Sequence, residues 1–128
     1  KSTVSVLEYN NGDMKLIDTA SCLPDSFSGE SFASAIRIYK NDVYVANRGH
    51  NSISRLSFDG KKLHFTEAFD CLGKTPRDFI FDENRIICAN QDSDSVTVFE
   101  ENKGYKFIQE IKIKEPICVV NYNSKEEI

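Results

Sequence analysis

Two stretches of this chain carry the same pattern without a gap. VYVANRGHNSIS occupies residues 43–54, and IICANQDSDSVT occupies residues 86–97. Alanine, asparagine and serine recur at equivalent positions, and aliphatic residues match aliphatic ones. The alignment extends over both flanks, so that residues 33–69 match residues 76–112. A repeat of this length indicates a fold built from similar units stacked side by side.

Each unit is predicted to contain four short β-strands. Apolar and polar residues alternate in SVTVFE and FIQEIKIK, and β-branched and aromatic residues are enriched there. Turn residues interrupt the pattern regularly, and no stretch has a sustained helical period. The predicted strands are 35–39, 43–47, 52–58 and 63–69 in the first unit, and 78–82, 85–90, 95–100 and 105–112 in the second. The fold class is therefore all-β.

The two ends of the chain extend the pattern. STVSVLEY (2–9) matches the third strand of a unit, and MKLIDTA (14–20) corresponds to its outer strand. EPICVVNY (115–122) is predicted to be the first strand of a further unit. Four antiparallel strands repeating every ~40–50 residues are typical of a β-propeller blade. We therefore interpret residues 1–128 as one piece of a propeller, with the end of one blade (1–20), two blades (33–69 and 76–112) and an opening or closing strand (115–122). A β-sandwich made from a duplicated sheet is the alternative.

An incomplete ring also predicts partners. Propellers close a ring of about four to eight blades, and this chain holds two and a half to three. Either the remaining blades of a longer protein cover its edges, or copies of the chain self-associate through them. Because the chain opens at Lys1 rather than Met, we expect it to be part of something longer.

Polar loops are expected to meet at one end of the units. In an up-and-down blade, the loop after the second strand and the loop entering the next blade emerge on the same side. This brings together residues 47–50, 75–78 and 90–92, with 31–34 nearby. Two arginines on a net acidic chain would form a mouth suited to a small anionic ligand. The candidate site residues are Asn47, Arg48, His50, Arg77, Asn90 and Gln91.

The candidates also have purely structural interpretations. Asn47 and Asn90 can cap the turn after the second strand, and His50 can be a turn residue with an exposed ring. Arg77 can pair with a neighbouring aspartate on the surface. The sequence leaves these alternatives open. The two repeats nevertheless differ at one informative place, since Arg48 stands where the second unit has Gln91.

Composition excludes several classes of function. The net charge of −4, the pI of about 5.2 and the lack of any basic run argue against nucleic-acid binding. No apolar run approaches the ~18–20 residues of a membrane helix, and the start has no signal-peptide pattern. We therefore expect neither nucleic acid nor a membrane as a partner.

Metal and cofactor chemistry are not expected either. The four cysteines form no C-x-x-C pair, and only two histidines are present. The segment from Asp92 begins like a calcium loop but has Thr97 and Lys103 at the positions of the required Gly and Glu. Cys88 and Cys118 lie in apolar runs and are expected to be buried thiols. Free thiols and the absence of N-x-S/T sequons predict a cytoplasmic location.

Three segments of the chain resemble a known family. AIRIYKNDVYVANRGHNSISRL, KTPRDFIFDENRIICANQDSDSVTVF and the final EPICVVNY are similar to the seven-bladed propeller lactonases. These include the bacterial propeller-type 6-phosphogluconolactonases and, more distantly, the fungal carboxy-muconate lactonizing enzyme. Asn-Arg-Gly-His and Pro-Arg-Asp-Phe are the most specific points. The resemblance covers essentially the whole chain and implies the C-terminal third of such a ring.

The resemblance also implies a site and a reaction. The family site is a His, two Arg and a Glu around the channel mouth, and only the Arg of Asn-Arg-Gly matches here, as Arg48. The Glu would lie just before the strand that begins at Ser2, and the other residues, with the general base, would lie in earlier blades. Arg77 matches a Pro-Arg of a later blade and is carried over as a substrate contact. The implied reaction is hydrolysis of 6-phosphogluconolactone to 6-phosphogluconate in the pentose phosphate pathway.

Two other classes remain open. VYVANRGHNSISRL also resembles the YVTN-type repeats of surface-layer and scaffold proteins, which implies a non-catalytic binding module. A lactonase homologue that acts on another small lactone, or one that has lost activity, is the second. The implied enzyme is a lactone hydrolase, and the isolated chain is expected to be inactive because most of the implied machinery lies outside it.

Overall fold

The structure is a computed structural model that describes residues 1–122. Ten strands form three antiparallel sheets. The half-blade contains β1 (Thr3–Asn10) and β2 (Asp13–Ser21). Blade A contains β3 (Phe32–Tyr39), β4 (Asp42–Arg48), β5 (Ser52–Phe58) and β6 (Leu63–Asp70). Blade B contains β7 (Pro76–Asp82), β8 (Arg85–Asn90), β9 (Ser95–Glu101) and β10 (Tyr105–Lys112).

Each blade is a simple meander, with strands hydrogen-bonded in sequence order. Equivalent residues pair in equivalent ways, since Asn47 lies opposite Ser52 in blade A and Asn90 lies opposite Ser95 in blade B. The β3–β4 hairpin turns through Lys40 and Asn41, both with positive φ (48° and 68°), as a tight two-residue turn between twisted strands requires. The predicted strands and their order are confirmed, with boundaries shifted by at most a few residues.

The core lies between the sheets rather than within one of them. Side chains of a strand alternate between its two faces, and β4 is buried on both. Val43 and Val45 pack toward the half-blade, in a cluster with Val4 and Leu56. Tyr44 and Ala46 pack toward blade B, in a cluster that also holds Ile53, Cys71, Phe79, Ile86, Cys88 and Phe99. Stacking is therefore what buries the apolar surface of each blade.

The C-terminal segment corrects one prediction. Residues 115–122 form no strand, although Val119 N–H donates to Asp78 Oδ2 (3.0 Å) and Asn121 Nδ2 donates to the Phe81 carbonyl (3.2 Å). A strand is defined by a backbone ladder to a neighbour, and this segment contacts β7 through side-chain hydrogen bonds without pairing with its backbone in a ladder. Cys118 is exposed for the same reason, contrary to the expectation that it is buried. Residues 123–128, which the predicted domain includes, lie outside the described residues.

Large apolar side chains remain exposed in two groups. The first group belongs to the half-blade and β3, and the second belongs to β10 and the segment after it. The members are Leu7, Tyr9, Met14, Leu16, Phe32, Ile36, Ile38, Phe107, Ile108, Ile111, Ile113, Ile117, Val120 and Tyr122. No helix in the described part of the chain is long and apolar enough to cross a membrane.

Candidate functional site

A cleft of about 420 Å³ opens between the inner strands of the two blades. β3 and β4 of blade A contact β7 of blade B, so the end of β4 and the start of β7 meet there. Arg48 and Arg77 both line the cleft, as predicted. Neither makes an ion pair within residues 1–122. The other lining residues are Ala33, Ser34, Ala35, Ile36, Arg37, Asp78 and Ile117.

Arg48 is the last residue of β4, where its backbone pairs with Phe32 of the innermost strand. This register places its half-buried side chain at the rim of the cleft. Arg48 Nε is buried and has no hydrogen-bond partner in the described structure. The residue as a whole remains partly exposed at the rim, where the terminal N–H groups of the guanidinium can donate charge-assisted bonds to a carboxylate or phosphate oxygen.

Arg77 follows Pro76 at the start of β7 and is exposed. Its Nη1 donates to Gln91 Oε1 at 3.2 Å. The alternative of a surface pair with a neighbouring aspartate is wrong, because Asp78 bonds Arg37 instead and no ion pair of Arg77 is found among the described residues. Gln91 does not line the cleft, so its contribution is to hold Arg77.

The Arg37–Asp78 pair was missed by sequence reasoning. Arg37 Nη2 lies 2.6 Å from Asp78 Oδ1, joining the innermost strands of the two blades. Asp78 also accepts the backbone N–H groups of Phe79 (2.9 Å) and Val119 (3.0 Å). Its carboxylate therefore accepts three hydrogen bonds and offsets the charge of Arg37, so Arg48 and Arg77 are the cleft arginines without an ion pair among residues 1–122.

A signal for this pair was present in the repeat. Arg37 aligns with Ile80 of the second unit, and Asp78 aligns with Ala35 of the first. Each is a charged residue on an innermost strand where the other blade has an apolar one. The difference between repeats that singled out Arg48 would have singled out both.

His50 lies on the same end of the blades but does not line the cleft. Its ring is half-buried rather than exposed, with Nδ1 2.6 Å from Ser52 Oγ. The rings of His50 and Phe27 pack edge to face, with their centroids 4.6 Å apart. The structure therefore places His50 beside the site and gives it protein partners.

Asn47 and Asn90 require a correction. Both side chains are fully buried, and a group without exposed surface does not contact a ligand. Instead each makes the same link to the preceding blade, which we call the clasp. Asn47 Nδ2 donates to Ser54 Oγ (2.8 Å), which donates to the Cys22 carbonyl. Their role is to join blades.

The second copy of the clasp has the same chemistry. Asn90 Nδ2 donates to Thr97 Oγ1 (3.0 Å), and Thr97 Oγ1 donates to the Cys71 carbonyl (2.8 Å). Cys22 and Cys71 each follow the outer strand of the preceding blade. The asparagine and hydroxyl residues of the repeat therefore link neighbouring blades, whereas Arg48 contributes to the polar surface of the cleft.

Metal ligands do not gather in residues 1–122, where no three His, Cys, Asp or Glu side chains come together. The cleft instead offers hydrogen-bond donors with positive charge. Its chemistry is that of an anion site.

Two features together define the class of protein. Stacked four-stranded meanders with a polar cleft at their inner edge are the architecture of a β-propeller, which excludes the β-sandwich alternative. Residues 1–121 match the family model described as Lactonase, 7-bladed beta-propeller. The chain belongs to this family.

Relatives of this chain are longer than it is. A 6-phosphogluconolactonase of Bacillus subtilis is 34% identical over 128 residues, which cover 91% of this chain and 37% of the relative. An uncharacterized protein of Staphylococcus aureus is 37% identical over 109 residues, covering 80% of this chain and 32% of that protein. The chain thus spans about a third of the length of the curated relatives it matches.

Solved structures show the same architecture. A periplasmic gluconolactonase of Pseudomonas aeruginosa superimposes with a TM-score of 0.83 at 26% identity, over 91% of this chain and 36% of that one. A protein from Lactobacillus plantarum gives the same TM-score at 23% identity, over 91% and 38%. The second match concerns the fold alone.

Proposed function

We propose that this chain supplies one wall of a lactone-hydrolysing site in a seven-bladed propeller. The proposed reaction is hydrolysis of 6-phosphogluconolactone to 6-phosphogluconate, a step of the pentose phosphate pathway. Family membership and the likeness to the Bacillus enzyme support this choice. The observation that carries it is the meeting of Arg48 and Arg77 at one cleft, with no ion pair to either within residues 1–122.

The chemistry assigns different tasks to the two arginines. Water attacks the lactone carbonyl, and negative charge develops on its oxygen before the ring opens. Arg48, which is half-buried at the cleft and has no ion pair among residues 1–122, is suited to stabilise that oxyanion or to hold a phosphate bidentately. Arg77 is more exposed and is suited to bind the substrate's charged group. A ligand of this kind is a small anionic lactone.

The general base is proposed to come from other blades. Asp78 is the carboxylate that lines the described cleft, and it already accepts three hydrogen bonds. Those bonds tie its oxygens to Arg37, Phe79 and Val119, so this carboxylate already has a structural role. The remaining blades of a ring are thus the proposed partners of this chain, and without them we expect no turnover.

A reducing, cytoplasmic location is also part of the proposal. All four cysteines are free, and three of them are buried. Burial raises the pKa of Cys22 to about 11, which keeps it in the unreactive thiol form. The similar Pseudomonas protein is described as periplasmic, so fractionation of the native host cell is the deciding measurement.

A non-catalytic binding module is the second candidate. The engaged state of Asp78 favours it, because an anion cleft without a free base binds but does not hydrolyse. The two candidates make different predictions once the ring is complete.

A chimera tests them. We would replace the corresponding third of the Bacillus subtilis 6-phosphogluconolactonase with this chain and measure steady-state hydrolysis of 6-phosphogluconolactone. We expect activity in the chimera and a roughly 10²–10³-fold lower kcat in Arg48→Ala, about the effect of losing one oxyanion donor, with little change in KM. Arg48→Lys should recover part of the activity at most, because it lacks the planar fork.

The control is Arg85→Ala, which removes an exposed arginine that pairs with Glu100 in blade B. Circular dichroism confirms the fold of each protein. A folded chimera that binds 6-phosphogluconate but does not turn over the lactone supports the binding module. Arg48→Ala with the kcat of the unsubstituted chimera contradicts the proposed role of Arg48.

A further inference from the structure

The loop that enters blade A is longer than its counterpart in blade B. Residues 22–31 connect β2 to β3, whereas residues 71–75 connect β6 to β7. The longer loop folds against the turn that follows Arg48. Phe27 packs edge-on against His50, and Ser31 lies at the end of the loop, buried with 6% of its surface exposed.

Ser31 uses its whole hydrogen-bonding capacity on this turn and its surroundings. A serine hydroxyl donates one hydrogen bond and accepts two. Ser31 Oγ donates to the Arg48 carbonyl (3.1 Å) and accepts the His50 N–H (3.3 Å). It also accepts the hydroxyl of Ser2 (3.1 Å), which comes from the start of the half-blade. One hydroxyl therefore holds both ends of the Arg48–His50 turn.

Gly49 shows how closely the loop and the turn approach. Its φ is +115°, and a Cβ built on it would lie 2.2 Å from the Glu30 carbonyl oxygen and 2.9 Å from the Ser31 Cα. A side chain at this position would force the two backbones apart. The contact is thus between backbones, with the loop packed directly against the residue that follows Arg48.

Blade B holds its equivalent turn differently. The N–H groups of Gln91 and Asp92 donate to the carbonyls of Thr75 (3.0 Å) and Lys74 (3.1 Å). Those bonds join backbone to backbone, and the side chains of Ser93 and Asp92 accept further bonds from the Lys74 N–H (2.9 Å) and from Thr75 Oγ1. In blade A both hydrogen bonds between the entering loop and residues 48–50 use the Ser31 hydroxyl.

We propose that Ser31 is a positioning residue for Arg48. It fixes the peptide from which Arg48 projects, and so fixes where the guanidinium meets the reacting group. Displacements of about 1 Å in such a group can lower the rate about 10²-fold. The inference rests on the proposed function of Arg48 for its effect on catalysis, but not for its effect on the turn.

The effect on the turn is measured first, in the chimera, where other blades cover the faces that this chain leaves exposed. Ser31→Ala removes the acceptor of the His50 N–H, so hydrogen exchange of the peptide covering residues 47–51 should be at least tenfold faster. Ser31→Thr keeps the hydroxyl and should retain slow exchange. Ser57→Ala is the matched control, since Ser57 lies at the other end of β5. Unchanged exchange in Ser31→Ala overturns the proposal whether or not the chain takes part in catalysis.

The effect on catalysis is measured in the chimera. We expect Ser31→Ala to lower kcat about ten- to a hundredfold with KM within about threefold, and Ser31→Thr to restore most of it. Faster exchange in Ser31→Ala with an unchanged kcat also overturns the proposal, because the turn then moves without consequence for Arg48. Loss of activity in Ser57→Ala as well would show a general loss of fold.

Failure of the proposed function gives a different result. In that case Arg48→Ala itself leaves kcat unchanged, or the folded chimera has no turnover. The positioning of Arg48 is then judged on the exchange of residues 47–51 and on titration of the folded chimera with 6-phosphogluconate. A dissociation constant weakened less than twofold by Ser31→Ala would count against it.

Discussion

Single residues at this cleft differ sharply in burial and in the partners they have. Arg48 and Asn47 are neighbours in the chain, yet one lines the cleft and the other is enclosed between blades. The cause is the alternation of side chains along β4, which sends adjacent residues to opposite faces. Arg77 is exposed for a different reason, because the register of β7 shifts between Pro76 and Asp78 and leaves Arg77 without a partner on β8.

Replacement of Arg77 tests whether its role differs from that of Arg48. If Arg77 contacts the substrate's charged group equally in the ground and transition states, its loss affects binding alone. In the chimera, Arg77→Ala should raise KM about ten- to a hundredfold, matching about 1.5–3 kcal/mol for a charged hydrogen bond, and leave kcat nearly unchanged. Gln91→Ala, which removes the partner of Arg77, should raise KM less. A lower kcat in Arg77→Ala would place this arginine in the chemical step.

At the scale of elements, the unit of construction is the blade and its clasp. The apolar clusters lie between sheets, so a blade taken alone leaves both faces uncovered. The clasp makes this stacking specific, because a hydroxyl of one blade donates a hydrogen bond to a backbone carbonyl of the blade before it. Buried hydrogen bonds of this kind favour one arrangement of the stack over others.

The clasp of blade B predicts a stability effect. Thr97→Val keeps the shape of the side chain but leaves Asn90 Nδ2 and the Cys71 carbonyl unpaired in a buried place. An unsatisfied buried polar group costs about 1–3 kcal/mol, so we expect the chimera to lose about 2–4 kcal/mol of unfolding free energy in urea. Thr66→Val on the exposed part of β6 is the control and should change it by less than about 0.5 kcal/mol. Equal effects of the two substitutions would refute the importance of the clasp.

For the whole molecule, the exposed faces decide the behaviour in solution. Apolar side chains remain uncovered on the half-blade, on β3 and on β10 with the segment after it. In addition, β1 has a hydrogen-bonding edge that no described strand occupies. Open edges and large apolar patches recruit other strands.

We therefore expect the 128-residue chain to self-associate or to be loosely folded in isolation. Sedimentation velocity should show species larger than the monomer of 14.5 kDa, in proportions that rise with concentration. In the chimera, where other blades cover these faces, we expect a single species of one subunit's mass. A monodisperse monomer of the isolated chain with one sharp calorimetric transition would contradict this expectation.

Local patterns were sufficient to predict the strands, their order and the propeller class. Alternation, turn residues and the repeat from residue 33 to residue 112 are properties of short stretches, and neighbouring strands in a meander pair with each other. The meeting of Arg48 and Arg77 followed from the same reasoning, because the loop after the second strand and the loop entering the next blade emerge at the same end. The strand expected over residues 115–122 failed because a strand depends on a partner elsewhere.

What the sequence by itself determined is therefore the blade: four antiparallel strands with polar loops gathered at one end. Tertiary structure alone decided which of those polar residues are available to a ligand. Asp78 is engaged because Arg37, 41 residues away, reaches it across two blades. Asn47 and Asn90 are enclosed because the preceding blade supplies the Cys22 and Cys71 carbonyls at their clasps. Burial and pairing across blades depend on how the sheets stack, and no local pattern encodes that geometry.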